Sequence, residues 1–204
     1  MRVQLPVVGG AYQSNVPEIS ALEAVNCYAE LGADASNRTS LVGSHGYEEV
    51  VDLGAPIRAL RNAWGRLYAV AGGALHHITG PTSEVLGYVG EDSNPASLSN
   101  NIFELLVVSS GAGWVAQKAG HTFSYVSDSD FPVSVRADFL DGYGMLLEKD
   151  SGRFHFTTIN DFEAISGIDF ATAEGQPDDL VSMLVDHREL WLFGDNTIEV
   201  WDNV

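Results

Sequence analysis

At about 150 residues per domain, a chain of 204 residues is one large domain or two small ones, and a 45% hydrophobic content excludes an intrinsically disordered protein. Ten Lys and Arg against 28 Asp and Glu leave a formal net charge of −18. The excess is concentrated in residues 103–204, which hold 18 acids and 5 bases against 10 and 5 in residues 1–102. Such a surface repels phosphate, and only Arg58, Arg61 and Arg66 fall close together, which argues against sequence-specific DNA binding through a basic patch.

The first twelve residues, MRVQLPVVGGAY, carry one arginine and an apolar run broken by Pro6 and Gly9, so the h-region of a signal peptide is missing. Residues 17–31 (PEISALEAVNCYAEL) space Ile19, Leu22, Val25 and Tyr28 three apart. That spacing fits a short amphipathic helix or an extended arm, and residues 1–50 are read as such an N-terminal element. Cys27 is the single cysteine, so the fold needs no disulfide and a reducing cytoplasm is the expected place of folding. No stretch approaches the roughly 18 apolar residues of a membrane helix, so no membrane insertion is expected.

From Ile57 onward, short apolar runs alternate with Gly, Asn, Asp or Ser every eight to twelve residues, the pattern of consecutive antiparallel strands. A module recurs in residues 57–79, 96–118, 134–159 and 179–203: an extended run, a turn, a strongly apolar strand, a glycine-type turn and an alternating strand. Leu67, Leu105, Met145 and Leu190, taken as equivalent, lie 38, 40 and 45 residues apart. That period is the length of a four-stranded propeller blade. Residues 51–204 are therefore read as about three and a half consecutive four-stranded antiparallel blades of an all-β, β-propeller-like fold.

Gly72-Gly73, Gly111-Ala112-Gly113, Ser151-Gly152 and Asp195-Asn196 occupy one position in the four modules, where a hairpin calls for positive φ. The fourth module reaches the strand around Trp201 with no room for an outer strand, so the repeat domain reads as incomplete at its C-terminus. An unfinished blade exposes an edge and an apolar side, expected at Leu190, Leu192 and Val200. A second polypeptide, the N-terminal arm around Val3 to Val8, or an identical chain could cover it; the first is favoured.

Motifs for chemistry are weak. Gly111 to Ala116 fits G-x-G-x-x-A but sits between two strands, without the helix that would receive a pyrophosphate. His76 and His77 are adjacent on a strand and point to opposite faces, so they cannot share one metal ion. Asp128, Asp130, Asp138 and Asp141 lack a calcium-loop spacing and read as solvated turn residues. Walker, H-E-x-x-H and G-x-S-x-G motifs are absent, so neither catalytic residues nor a cofactor is assigned. Trp64, Tyr68, Trp114, Trp191 and Trp201 fall on strands and read as packing between blades.

Three segments carry a family resemblance. The opening LPVVGGAY and the run Asn26-Cys27-Tyr28-Ala29-Glu30 resemble the amino-terminal signature of the packaged-DNA stabilisation, or tail nozzle, proteins of short-tailed bacteriophages. That family reads Asn-x-Tyr-Pro-Glu, and here Ala29 replaces the proline. Its Thr-Pro-Gly turn corresponds to Ser44-His45-Gly46, which keeps the glycine alone. Most specific is DDLVSMLVDHRELWLFGDNTIEVWDN, similar to a family blade with a Leu-Trp-Leu-Phe-Gly run and a Thr-x-Glu-x-Trp strand. The matching residues are Leu190, Trp191, Leu192, Phe193 and Gly194, then Thr197, Glu199 and Trp201. Members are commonly longer, so the chain resembles an amino-terminal half.

The resemblance implies a non-enzymatic virion component. It would be a ring of subunits at the tip of a short tail that retains packaged DNA, lets it pass on ejection without sequence-specific binding, and anchors portal-side adaptors and a fibre or needle. The alternative is a propeller that binds or hydrolyses a host-surface glycan, which would place Trp64 or Trp114 beside paired carboxylates.

Overall fold

The computed structural model describes residues 27–31, 39–173, 175 and 178–202, and the chain divides into two units, Met1–Glu49 and Val50–Val204. In the first unit, β1 (Cys27–Leu31) pairs antiparallel with β2 (Thr39–Gly43). Cys27–Leu31 is thus a strand, and for these residues the helical alternative is corrected to the extended one. A ladder of backbone hydrogen bonds to β2 outweighs a three-residue apolar spacing, which is a weak helix signal. Residues 17–26, including Asn26, lie outside the described residues.

The second unit is a run of antiparallel meanders. Sheet 1 holds β3 (Ile57–Ala63), β4 (Arg66–Ala71), β5 (Ala74–Thr79) and β6 (Thr82–Tyr88). Sheet 2 holds β7 (Ser97–Asn100), β8 (Glu104–Ser109), β9 (Ala112–Gln117) and β10 (Phe123–Tyr125). Sheet 3 holds β11 (Ser134–Leu140), β12 (Tyr143–Glu148), β13 (Arg153–Thr158) and β14 (Asp161–Thr172). In sheet 4 the described strands are β15 (Leu180–Asp186), β16 (Glu189–Gly194) and β17 (Ile198–Asp202). The second strands start at Arg66, Glu104, Tyr143 and Glu189, which are 38, 39 and 46 residues apart. The first strands adjoin one another in series, β3 beside β7, β7 beside β11 and β11 beside β15. These are the blades of a propeller-like all-β fold.

Local chemistry explains the hairpins. In the turns between second and third strands, positive φ falls at Gly72 (52°), Ser110 (50°), Gly111 (83°) and Asp150 (52°). In the third sheet the left-handed residue is thus Asp150, one place before the expected Ser151-Gly152 pair. The fourth turn is held by a carboxylate: Asp178 Oδ2 accepts the Asn196 and Thr197 N–H groups (2.8 and 2.9 Å) and the Thr197 hydroxyl (2.9 Å). The first strands of sheets 1, 3 and 4 share a β-bulge near their start, between Ile57 and Ala59, Ser134 and Arg136, and Leu180 and Ser182. A bulge bends and twists a strand, and its recurrence at one position gives three inner strands the same bend.

Three apolar seams join the sheets face to face. Tyr68, Val70 and Leu75 of sheet 1 meet Leu98, Leu105 and Val107 of sheet 2. Leu106, Val108 and Val115 of sheet 2 meet Leu146 and Phe162 of sheet 3. Met145, Leu147 and Phe154 of sheet 3 meet Leu180, Leu190 and Leu192 of sheet 4. Along β8 the side chains alternate between the first two seams, so all six residues are buried. This is how a strand covered on both faces comes to read as a continuous apolar run.

Candidate functional site

A chain built of stacked sheets works through the seams inside it and the faces at its ends. Polar side chains clasp each seam, and many of their partners lie about one repeat away in sequence. Arg58, on the bulge of β3, has a side chain only 5% exposed. It donates to the carbonyls of Asn94 (2.7 Å), Gly72 (2.9 Å) and Gly90 (2.9 Å) and pairs with Asp92, pinning the link from sheet 1 to sheet 2. Burial works to raise the Asp92 pKa, but hydrogen bonds from Ser110 and Asn94 and the charge of Arg58 outweigh it and hold the carboxyl below its usual value. Arg61 donates to Asn100 Oδ1 (3.1 Å), and Trp64 Nε1 donates to the Asn101 carbonyl (2.8 Å). Arg58 and Arg61 therefore bind the protein to itself.

Between sheets 2 and 3, Ser97 Oγ donates to the Ala137 carbonyl (3.1 Å) and accepts the Ala137 N–H (3.0 Å). Buried Glu104 accepts the Phe162 N–H (2.8 Å), the Gln117 amide (3.0 Å) and the Asn101 amide (3.3 Å). The four aspartates expected to be plain solvated turn residues are also clasps. Asp128 and Asp130 accept the Ile165 (3.2 Å) and Gly167 (2.9 Å) N–H groups of β14. Asp138 accepts the Val185 N–H of β15 (2.8 Å), and Asp141 accepts Arg188 across the same seam (2.8 Å). Backbone hydrogen bonds, from Asp130 first and then Ile165, lower the Asp128 pKa.

Among the described residues, the end sheets differ from the middle ones in having one seam with another sheet where the middle ones have two. On sheet 4 the register places Leu184, Trp191 and Val200 in one cross-strand row and Ser182, Phe193 and Ile198 in the next. Leu184, Ile198 and Val200 are 51%, 62% and 44% exposed. The expectation for this face is corrected in part: Leu190 and Leu192 are 1% and 0% exposed, buried against sheet 3, and only Val200 of the three named lies on the open side. Alternation along β16 turns Leu190 and Leu192 inward and Trp191 and Phe193 outward. A cleft of about 450 Å³ lies where β17 ends beside sheet 3, lined by Tyr143, Phe156, Asp169 and Trp201 among others.

The motif residues of the fourth blade divide between these surroundings. Gly194 and Thr197 converge on Asp178, and an added Cβ at Gly194 would overlap that carboxylate. Glu199 accepts Trp201 Nε1 (3.2 Å) and the Gly175 N–H (3.3 Å), and Trp201 stands edge-on to Phe154 at 5.2 Å. Trp191 belongs to the open face, its indole N–H on Glu189 (3.1 Å). Tyr28 and Glu30 lie on β1 in the other unit, and Gly46 is exposed there. Of the tryptophans named for a glycan platform, Trp64 carries Lys118 over its ring at 5.5 Å and Trp114 packs in the first seam.

A protein-family profile described as bacteriophage P22 Gp10, β-propeller, matches residues 3–204. The chain belongs to this phage-stabilisation family. Family membership supports a structural role in phage-tail stabilisation. No curated protein sequence matches it significantly. Among solved structures, the computationally designed Ika4 protein is 13% identical with a TM-score of 0.55, over 77% of this chain and 99% of Ika4. BamB from Moraxella catarrhalis is 18% identical with a TM-score of 0.57, over 87% of this chain and 55% of BamB. The Pan2 WD40 domain of Neurospora crassa is 10% identical with a TM-score of 0.51, over 72% of this chain and 48% of that chain. The chain spans about half the length of the last two, and at these identities the likeness is one of fold alone.

Proposed function

We propose that the phage-stabilisation protein is a building block of a tail ring, with its blades forming part of the wall of a DNA conduit and its open sheet faces receiving further tail parts. The observation that carries this reading is the outward face of sheet 4, where Leu184, Ile198 and Val200 stand exposed in rows with Trp191 and Phe193. Sheets 1 to 3 bury the corresponding faces against a following sheet, so the natural occupant is another sheet of the same kind, supplied by further blades. Residues 1–50 act as an arm on a neighbouring surface, and portal-side adaptors and a fibre or needle complete the partner set. The chain folds in the host cytoplasm and joins the virion there.

Charge supports the conduit. A net −18 surface does not grip the phosphate backbone, so duplex DNA slides past it on ejection. The first strands of the sheets are of mixed sign, carrying Arg58, Arg61 and Arg136 as well as Asp138 and Asp186. The test is to assemble phage without this chain. The reading predicts particles that package DNA and then lose it, while purified chain leaves labelled duplex DNA unshifted at physiological salt. Particles that retain their genome, or clear turnover of a host glycan by the chain, would overturn it.

A further inference from the structure

The first seam ends in a cluster that the tail role leaves unexplained. His77 on β5 and Glu84 on β6 stand directly opposite each other in the hairpin register. His121, in the turn from β9 to β10, reaches them from sheet 2, and one ligand atom from each of the three falls within 4.8 Å of the others. Tyr68, 1% exposed, stacks on the His77 ring at 5.2 Å, and the His121 ring stands edge-on to His77 at 5.1 Å. Arg66 Nη1 donates to His121 Nε2 at 2.6 Å.

We propose that His77, Glu84 and His121 bind a divalent first-row transition ion of the zinc type, which staples sheet 1 to sheet 2. Two imidazoles and one carboxylate form a known zinc donor set that leaves a fourth position for water. Bonds of about 2.0–2.2 Å to such an ion draw the three ligand atoms closer than 4.8 Å, a movement that exposed Glu84 can supply. The donors come from a hairpin and from the turn of the next sheet, so the ion crosslinks two blades. The His77 pKa is lowered, first by burial and then by the charges of His121 and Arg66. His76, 7% exposed, faces the other way along β5, and His77 meets its partners across the strands and across the seam.

Arg66 supplies the decisive test, because it is the cation already seated in the cluster. The experiment titrates the metal-free protein with ZnCl₂ by calorimetry and thermal unfolding, and with CoCl₂ by visible absorption. The expected result is one saturable site, a tetrahedral cobalt spectrum and a raised unfolding temperature. Losing a ligand is at least as costly as losing an outer-shell partner, so His121→Ala and Glu84→Ala weaken binding by about 10–100-fold or more. Arg66→Gln tightens it, since a competing positive charge is gone. His187→Ala, at an exposed histidine elsewhere, leaves affinity unchanged. Circular dichroism confirms that each variant is folded, and Arg66→Gln is informative on its own should an alanine variant unfold. Wild-type affinity in the ligand variants, weaker binding in Arg66→Gln, or no saturable zinc binding would overturn the proposal.

Discussion

Strands β8 and β16 hold the same place in sheets 2 and 4 and are about equally apolar, ELLVVS against ELWLFG, yet their surroundings differ. All six residues of β8 are buried because a sheet lies on each side, whereas β16 buries only Leu190 and Leu192. The comparison separates what the repeat encodes from what its neighbours provide. A strand covered on one face needs apolar residues only at alternate positions, and β16 carries Trp191 and Phe193 at the others. That composition is what the proposed second neighbour of the fourth blade calls for.

Substitutions can break or sharpen this contrast. Leu106→Ala, in the middle sheet, should cost about 2–5 kcal/mol of unfolding free energy by chemical denaturation, since Leu106 is 0% exposed between two close-packed sheets. Ile198→Ser on the open face should change the isolated chain by no more than about 0.5 kcal/mol while impairing incorporation into tails. Equal costs at the two positions would erase the contrast. Next in size is Arg58→Ala, with an expected loss of about 3 kcal/mol, because it strips a buried guanidinium from three carbonyls and Asp92. Gly144→Ala should cost about 1–3 kcal/mol by overpacking, since the new Cβ would come 2.7 Å from the Phe162 ring and 2.9 Å from Thr157 Cγ2.

The smallest effect is one of pH. The Asp128 and Asp178 pKa values are lowered, chiefly by backbone hydrogen bonds, so the folded state binds fewer protons than the unfolded one. Their contribution is present above the unfolded carboxylate value of about 3.9 and is lost as pH falls through the lower folded values. The lowered His77 pKa acts in the same direction below about pH 6.5. Stability should thus decline on acidification, measured as the denaturant midpoint against pH, and Asp128→Asn should flatten the acid limb.

Much of this architecture is readable in the chain itself. The repeat period, the hairpin positions and the three described strands of the fourth sheet follow from apolar runs and turn residues. The face of β16 does not, because an uninterrupted apolar strand carries no alternation to say which side points inward; only the position of sheet 3 decides that Leu190 and Leu192 are covered. The aspartate clasps were hidden for another reason. A carboxylate that accepts a backbone N–H from the next blade has the same local sequence as one facing water. Their one available cue is spacing, for Asp128 and Asp130 reach Ile165 and Gly167, each 37 residues on, which is nearly the repeat. The hairpin turn at Gly80-Pro81 sets Thr79 opposite Thr82 and so His77 opposite Glu84, whereas the arrival of His121 depends on how sheet 2 packs.

The most direct measurement is a cryo-electron-microscopy map of the assembled phage tail, read at the outward face of sheet 4. The account predicts that Leu184, Trp191, Ile198 and Val200 are buried there against the strands of another sheet. Those four side chains facing solvent in the finished tail would contradict it.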